Sequence, residues 1–343
     1  MKTRDFFFDL PESLIAQKPS HRRSDSRMMM VDRSTGTISH SKTAHLPQNL
    51  QSPLVLVRNN SKVRKARVFA QKDSHGGSLE FLFLSRIDTY RWEVMVSRSK
   101  KQRRGDTYSF PGSVTGEITG EHTSEGASLK VITTSIALEE SYFLTHGHVP
   151  LPPYIKREDE GFDERRYQTM YASVVGSVAA PTAGLHMTKG VEQELLDQGI
   201  EIVDVTLHVG LGTFLPIRTE HIEEHEMHRE SYTISSDAAE RINRAKSSGI
   251  PVYALGTTSM RTLEASWMDG KVREGTDATN LYITPGYTFN VVDGLFTNFH
   301  TPGSTLLVLV SSFAGTDLMR RAYQEAISEG YRFFSYGDAM LIR

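Results

Sequence analysis

Polar side chains that can bind anions or move protons gather in the second half of this chain, beside glycines, helix starts and strand ends. Asn298 and His300 stand just before a strongly apolar run at 306–310, which favours burial. Thr301 and Pro302 predict a helix start there, because proline loses no hydrogen bond in a first turn and threonine caps free N–H groups. Such a helix start suits an anion. A capped core helix with incidental polar neighbours is the alternative interpretation.

A second group follows a predicted strand at 252–255 and enters a predicted helix. Gly256, Thr257 and Thr258 come first, and Arg261 follows within the first turn. Hydroxyls, a guanidinium and free N–H groups together bind carboxylate or phosphate. A simple capped helix would explain the hydroxyls but would leave Arg261 without a role.

Three more loops of the same kind complete the pattern. Predicted strands precede two of them, the one with His186 and the one with His208, Gly210 and Thr213, and Asp338 is expected just after the last strand. Open α/β sheets build their sites in the loops at the carboxyl ends of strands. Five such loops in one α/β unit therefore predict an active site.

The segment 221–230 contains the most conspicuous sequence motif of the chain, because His221 to His225 match the short zinc-protease pattern H-x-x-E-H. On a helix, His221, His225 and His228 would share one face. Short motif matches arise by chance, and Pro216 favours a loop or a short helix here. A polar surface segment or a set of substrate contacts is the favoured interpretation, and a zinc-dependent hydrolase is the alternative function.

The composition narrows the chemistry. The 343 residues include no cysteine, which excludes disulfides, a thiolate nucleophile and zinc–thiolate sites. The length allows two domains, and the net charge of −2 is that of an ordinary soluble protein. No stretch is apolar enough for a signal peptide or a membrane span, so we expect a cytoplasmic protein.

Two basic runs are candidates for contact with nucleic acid. Residues 58–67 and residues 97–104 each carry five arginines or lysines. Such runs can neutralise phosphates, although a single run is more often a solvated loop.

The elements that must position these residues follow two patterns. Short β-type runs at 54–57, 65–70, 79–84 and 92–96, separated by turn signals, favour a small barrel or sandwich. After residue 168, strands and helices alternate, which is typical of an α/β layer. The predicted strands there are 168–175, 200–207, 252–255, 281–284 and 331–335, and the predicted helices are 191–198, 236–248 and 317–328. The sequence thus predicts an α/β main domain with a mixed sheet and flanking helices, formed by 1–57 and 150–343, and an inserted all-β, barrel-like domain at 58–149.

Several long segments together are similar to one family, the S-adenosylmethionine:tRNA ribosyltransferase-isomerases of queuosine biosynthesis. The resemblance covers almost the whole chain and is carried by 8–17, 150–157, 166–172, 181–186, 208–214, 225–230, 256–264, 297–300 and 331–342. One departure from the family pattern concerns the site. The family usually has lysine where this chain has Gly303, so backbone donors or Arg261 would have to take over the role of that lysine. His221 is not part of the family pattern.

The resemblance implies a reaction. The ribosyl part of S-adenosylmethionine is transferred to 7-aminomethyl-7-deazaguanine in a tRNA anticodon and isomerised, which gives epoxyqueuosine and releases adenine and methionine. It implies no metal and no permanently bound cofactor, with S-adenosylmethionine as a cosubstrate, and we expect a monomer. His208, His228 or Asp338 would act as base or acid. The expected cosubstrate-binding residues are His186, Gly210, Thr213, Gly256, Thr257, Thr258, Arg261, Asn298 and His300.

Overall fold

The computed structural model describes residues 1–74, 77–124, 127–210 and 216–343. It contains a nine-stranded mixed sheet with flanking helices and a closed six-stranded antiparallel barrel. The predicted fold class, an α/β part with an inserted barrel-like part, is therefore confirmed. The domain boundaries at 57/58 and 149/150 stay predictions.

The elements are numbered along the chain. The strands are β1 Arg27–Val31, β2 Ile38–Lys42, β3 Val55–Asn59, β4 Ser61–Val63, β5 Arg67–Lys72, β6 Ser78–Arg86, β7 Arg91–Val96, β8 Thr107–Phe110, β9 Val114–Ser124, β10 Ala127–Thr134, β11 Val174–Ser177, β12 Glu201–Leu207, β13 Glu230–Ile234, β14 Val252–Leu255, β15 Trp267–Met268, β16 Lys271–Val272, β17 Gly275–Thr279, β18 Gly294–Asn298 and β19 Ala339–Ile342. The helices are α1 Leu46–Asn49, α2 Glu140–His146, α3 Asp163–Arg166, α4 Lys189–Asp197, α5 Ser236–Ser247, α6 Thr257–Ser266, α7 Thr305–Ala314 and α8 Thr316–Ser328.

The main sheet is buried on both faces at its centre. Its order is β17-β13-β12-β3-β14-β18-β19-β1-β2, and the four strands from β12 to β18 run parallel. Along β3 the side chains alternate: Val55 and Val57 belong to one core, and Leu56 belongs to the core on the opposite face. Burial on both faces explains why these strands read as continuous apolar runs in the sequence.

The barrel has the order β10-β7-β6-β5-β8-β9. In β6 the inward residues Phe81 and Phe83 alternate with partly exposed ones, as the period of a half-buried strand requires. Phe143 of α2 packs against Phe83 and Trp92, with ring centroids 5.3 Å from each. The strand run at 54–57 is not part of this barrel, since it forms β3 in the main sheet.

Strand direction brings distant segments to one edge of the main sheet. β19 is antiparallel to β18, with Asn298 opposite Ala339, so β19 begins where β18 ends. β1 is parallel to β19 and therefore begins at that edge as well. The loops after β14 and β18 and the segments before β19 and β1 consequently meet there.

Three strand predictions were wrong in position. The predicted strand at 331–335 is a loop of buried aromatic residues, and the last strand is β19, so Asp338 precedes that strand instead of following it. The loop satisfies its backbone elsewhere: the N–H of Phe333 donates to Leu14 O at 2.8 Å. No strand forms at 281–284 in the described chain, and within 168–175 only the end, from Val174, becomes β11.

The predicted helix start at Thr301–Pro302 was also misplaced. α7 begins at Thr305, and the hydroxyl of Ser304 accepts the N–H of Leu307 at 3.2 Å as its cap. Gly303 has a left-handed backbone, with φ of +63°, which separates Pro302 from the helix. Within the described residues, no helix has the length and apolarity needed to cross a membrane.

Candidate active site

A cleft opens at the edge of the main sheet where these loops meet. Its cavity volume is about 60 Å³, well below the several hundred Å³ usual for small-molecule sites. We therefore expect its lining to open when a nucleoside-sized ligand enters. The lining residues are Tyr154, Ala179, Ala180, Pro181, Thr182, Ala183, Val209, Gly256, Thr257, Thr258, Thr297, Asn298, Phe299, His300, Thr301, Leu306, Phe334 and Ser335.

Asn298 ties three loops together at the end of β18. Its buried Nδ2 lies 3.0 Å from Nε2 of His186 and donates to Phe334 O at 3.2 Å. The amide oxygen Oδ1 is buried and has no hydrogen-bond partner in the described structure. Because buried polar atoms are nearly always paired, this oxygen is ready to accept a ligand's donor.

The ring of His186 must be neutral for this arrangement. Its Nε2 accepts from Asn298, and burial, the largest cause, lowers its pKa to about 3. The ring also forms a hydrogen bond with the backbone of Arg23. His186 therefore acts as a hydrogen-bonding support for Asn298 and is not itself in the lining of the cleft.

His300 is the histidine that does line the cleft. Its Nε2 lies 3.0 Å from Oγ1 of Thr297, and its backbone N–H donates to the hydroxyl of Tyr323 at 2.9 Å. Burial lowers its pKa to about 3. At neutral pH the ring carries no charge, so it can orient a ligand by hydrogen bonding but cannot serve as a protonated acid.

The start of α6 forms the facing wall. Gly256 has φ of +94°, a conformation that favours glycine, and no side chain caps the first turn of the helix. The hydroxyl of Thr258 is buried without a partner in the described structure. Uncapped N–H groups and a free hydroxyl together form a site for an oxyanion.

Arg261 is only partly engaged, because its Nη2 is buried and has no hydrogen-bond partner in the described structure. Its Nη1 pairs with the carboxylate of Glu230, and both side chains are buried. The other oxygen of Glu230 accepts the N–H of Gly210 at 2.9 Å. Arg261 is therefore connected through Glu230 to Gly210, and it is not among the residues that line the cleft.

Asp338 also has a supporting position. Its Oδ1 accepts the N–H of Arg27 at 2.9 Å, and its Oδ2 accepts the N–H of Arg332 at 2.8 Å. Burial raises its pKa, and these two N–H groups oppose the rise. The carboxylate thus joins the segments that precede β1 and β19, and it lies outside the lining of the cleft.

The other two predicted acid–base residues, His208 and His228, are not among the residues that line the cleft. His208 lies against Gly176, where an added Cβ would approach the ring to 2.8 Å, and its Nδ1 is buried. His228 is half-buried in the segment before β13. Burial lowers the pKa of both rings. The predicted residue Thr213 lies outside the described residues.

The zinc interpretation of the segment 221–230 finds no support. The only helical part is a three-residue turn at Ile222–Glu224, so His221, His225 and His228 do not share a helix face. Nowhere in the described part of the chain do three His, Asp or Glu side chains gather as metal ligands would.

Sequence reasoning missed several residues of the cleft. Tyr154 donates to or accepts from Ser335, with 2.6 Å between the two hydroxyl oxygens, although 181 positions separate them. Burial raises the pKa of Tyr154 to about 12. Thr297 and Thr182 also face the cleft. The proline-rich run before Tyr154 was a turn signal only, and nothing local marked these residues as functional.

Comparison with known proteins places the chain in a family. A sequence profile described as "Queuosine biosynthesis protein" matches residues 3–342. The chain belongs to this queuosine biosynthesis family. It is 48% identical over 343 residues to the S-adenosylmethionine:tRNA ribosyltransferase-isomerase of Desulfitobacterium hafniense and 44% identical over 348 residues to that of Treponema denticola, each pair covering 100% of both chains.

A solved structure supports the same assignment. The crystal structure of the S-adenosylmethionine tRNA ribosyltransferase from Thermotoga maritima matches with a TM-score of 0.55 and 29% identity, covering 99% of this chain and 100% of that one. The resemblance seen in the sequence is therefore confirmed.

Gly303, where the queuosine biosynthesis family usually has lysine, is absent from the described lining of the cleft. Its N–H donates to Phe6 O at 2.9 Å, and an added Cβ would come within 2.5 Å of the ring of Phe7. The N-terminal segment thus occupies the space beside this glycine. Arg261 pairs with Glu230 and does not line the cleft, so its role in place of the lysine stays a prediction.

The buried histidines make stability depend on pH. Folding lowers the pKa of His300 from about 6.5 in an unfolded chain to about 3. The contribution of the neutral ring to the free energy of unfolding is therefore complete above pH 6.5. This contribution is lost as the pH falls toward 3. At pH 5 the loss is about 2 kcal/mol for one such ring. We predict that His300→Gln flattens the fall in the free energy of unfolding between pH 7 and pH 5, measured by urea titration. Parallel curves for the two proteins would contradict this account.

Proposed function

We propose that this protein is an S-adenosylmethionine:tRNA ribosyltransferase-isomerase. It transfers and isomerises the ribosyl part of S-adenosylmethionine onto 7-aminomethyl-7-deazaguanine in a tRNA anticodon, giving epoxyqueuosine, adenine and methionine. The observation that carries this proposal is a cleft, in a member of the queuosine biosynthesis family, whose walls hold two unpartnered polar atoms, Asn298 Oδ1 and Thr258 Oγ1. Buried polar atoms are nearly always paired, so these two are suited to hydrogen-bond a polar ligand that enters the cleft.

The chemistry suits the side chains available. The sulfonium of S-adenosylmethionine withdraws electrons and acidifies the adjacent ribose carbon, so the substrate arrives already activated. The protein must then supply a base for that proton, an acid for the departing adenine and donors for the methionine carboxylate. None of these tasks needs a thiolate, which this chain cannot provide.

The two walls of the cleft bind different parts of the cosubstrate. The first turn of α6, with Thr257 and Thr258, holds the methionine carboxylate, because free N–H groups at a helix start favour negative charge. Asn298 and His300 contact adenine or ribose as uncharged hydrogen-bonding groups. Arg261 and His186 position these walls from behind, through Glu230 and Asn298 respectively.

The acid and base are assigned to groups that can change protonation near the cleft. We assign these roles to His208, directly after β12, and His228, shortly before β13. Asp338 is less suited, because both of its oxygens already accept backbone N–H groups. Of the described residues in the lining, His300 and Tyr154 are the titratable ones, and both are uncharged at neutral pH.

The two basic runs differ as surfaces for tRNA. In the run 58–67, Arg58 is buried and pairs with Asp204 and Glu192, and only Lys62 is exposed. Arg64, Lys65 and Arg67 also pair with carboxylates. In the run 97–104, all five basic residues are exposed, and none forms an ion pair with a described residue. Free basic side chains neutralise phosphates, so we assign tRNA binding to the second run. A monomeric, cytoplasmic enzyme stays our expectation.

The direct test supplies both substrates. We expect the protein, incubated with S-adenosylmethionine and tRNA carrying the deazaguanine precursor, to release adenine and to convert the precursor nucleoside to epoxyqueuosine, measured by mass spectrometry of the digested tRNA. A tRNA-binding protein without catalysis would bind the tRNA and release no adenine. That result would overturn the proposal.

The wall at α6 can be tested with a pair of isosteric variants. Thr258→Val removes the unpartnered hydroxyl, and we expect the Kd for S-adenosylmethionine to rise about tenfold, because one hydrogen bond to a charged group is lost. Thr262→Val is the matched control, since its hydroxyl donates within the same helix to Thr258 O at 2.9 Å. Equal Kd values for Thr258→Val and the control, by calorimetry, would show that Thr258 does not contact the cosubstrate.

The assignment of the tRNA surface predicts a salt effect. Reversing Lys100 and Lys101 to Glu should raise the KM for tRNA and lower the slope of log KM against log salt by about 2, which corresponds to two lost phosphate contacts. The KM for S-adenosylmethionine should not change. Reversing the exposed Lys189 and Lys271 of the α/β part serves as the control. If both pairs alter the KM for tRNA equally, the run 97–104 is not the specific contact.

A further inference from the structure

A second, shallow pocket lies next to the cleft, where the segment before β1 meets the segment before β19. Arg23, Arg166, Ser20 and Ser335 are among its walls, and Ser335 lines the cleft as well. Its cavity volume is about 10 Å³, which is close to the space that one water molecule occupies. The pocket therefore admits a single oxygen atom of a ligand and excludes a base or a sugar.

The two arginines of this pocket donate their described hydrogen bonds to neutral groups. The guanidinium groups of Arg23 and Arg166 each donate two hydrogen bonds, and all four go to backbone carbonyl oxygens at 2.6–3.1 Å. Neither arginine forms an ion pair with a described residue. Two half-buried positive charges that lack an ion-pair partner are unfavourable, and a bound anion lowers that cost.

An unpaired donor and the repulsion between the two guanidinium groups also favour a bound anion in this pocket. Nε of Arg166 is buried and has no acceptor among the described residues. Burial lowers the pKa of Arg23 most, and the charge of Arg166 lowers it further, so the two groups repel each other. Of the carboxylates nearby, Asp163 is bound by Arg157. The exposed Asp25 accepts the N–H of Arg22 at 3.0 Å and acts on Arg166 through its charge, without forming an ion pair with it.

We propose that Arg23 and Arg166 bind a phosphate group of the RNA strand beside the nucleotide that enters the cleft. This inference rests on the proposed function. Arginine presents a planar fork of donors that matches phosphate oxygens. A nucleotide whose base lies in the cleft carries its phosphates at the rim, and Ser335 belongs to both the cleft and the pocket. The cosubstrate carboxylate is held instead at the start of α6.

The test adds a competing carboxylate and leaves both arginines in place. Ser20→Asp puts a negative charge into the pocket without removing the hydrogen bonds of either guanidinium. We expect the Kd for precursor-containing tRNA to rise about tenfold and the slope of log Kd against log salt to fall by about 1. The Kd for S-adenosylmethionine should stay the same. Ser24→Asp is the matched control, because it makes the same charge change outside the lining of the pocket.

A second readout does not depend on catalysis. Inorganic phosphate should raise the Tm of the wild-type protein and of Ser24→Asp, and this rise should disappear in Ser20→Asp. An unchanged tRNA Kd, an equal change in Ser24→Asp, or a change confined to the Kd for S-adenosylmethionine would overturn the proposal. Failure of the wild-type protein to release adenine would instead refute the proposed function, and the phosphate measurement would still decide whether the pocket binds this anion.

Discussion

The burial of Asn298 at the end of β18 is the constraint on which the rest of the site depends. A buried amide must use its hydrogen-bonding groups, and here the NH₂ group contacts His186 and the carbonyl of Phe334. These contacts join a loop from the middle of the chain to a loop near its end. The amide oxygen is buried and left without a partner in the described structure, and Asn298 is one of the residues that line the cleft. The side chain of Asn298 therefore holds the loops of the site together through its NH₂ group, and its unpartnered oxygen indicates where a ligand would bind.

Behind the cleft, charged and titratable groups are held in forms that support its walls. His186 and His300 are kept neutral by burial, and Arg261 is neutralised by Glu230. A buried ion pair of this kind is costly to break, because either partner would be left as an uncompensated charge. The cleft thus offers mainly neutral donors and acceptors, which suits a cosubstrate that brings its own positive sulfonium and its own leaving groups.

Local signals in the sequence point to several residues that line the cleft in the structure. Gly256, Thr257, Thr258, Asn298 and His300 each stand next to a strand end or a helix start, and such signals can be recognised from neighbouring residues in the sequence. Tyr154 and Ser335 were missed because their hydrogen bond joins segments 181 residues apart. Asp338 was placed after a strand because the aromatic run at 331–335 resembles one, although its residues are buried in a loop. Arg261 could not be interpreted until its partner Glu230 was known. The fold class was accessible because alternating strands and a barrel leave periodic patterns, whereas pairing across the sheet does not.

The most direct measurement of the central claim is a crystal structure of the protein with S-adenosylmethionine. We predict ligand density in the cleft, with polar atoms of the ligand within hydrogen-bond distance of Asn298 Oδ1 and Thr258 Oγ1. Density outside the cleft, for example in the groove between Phe8 and α8, with both of these atoms still unpartnered, would contradict it.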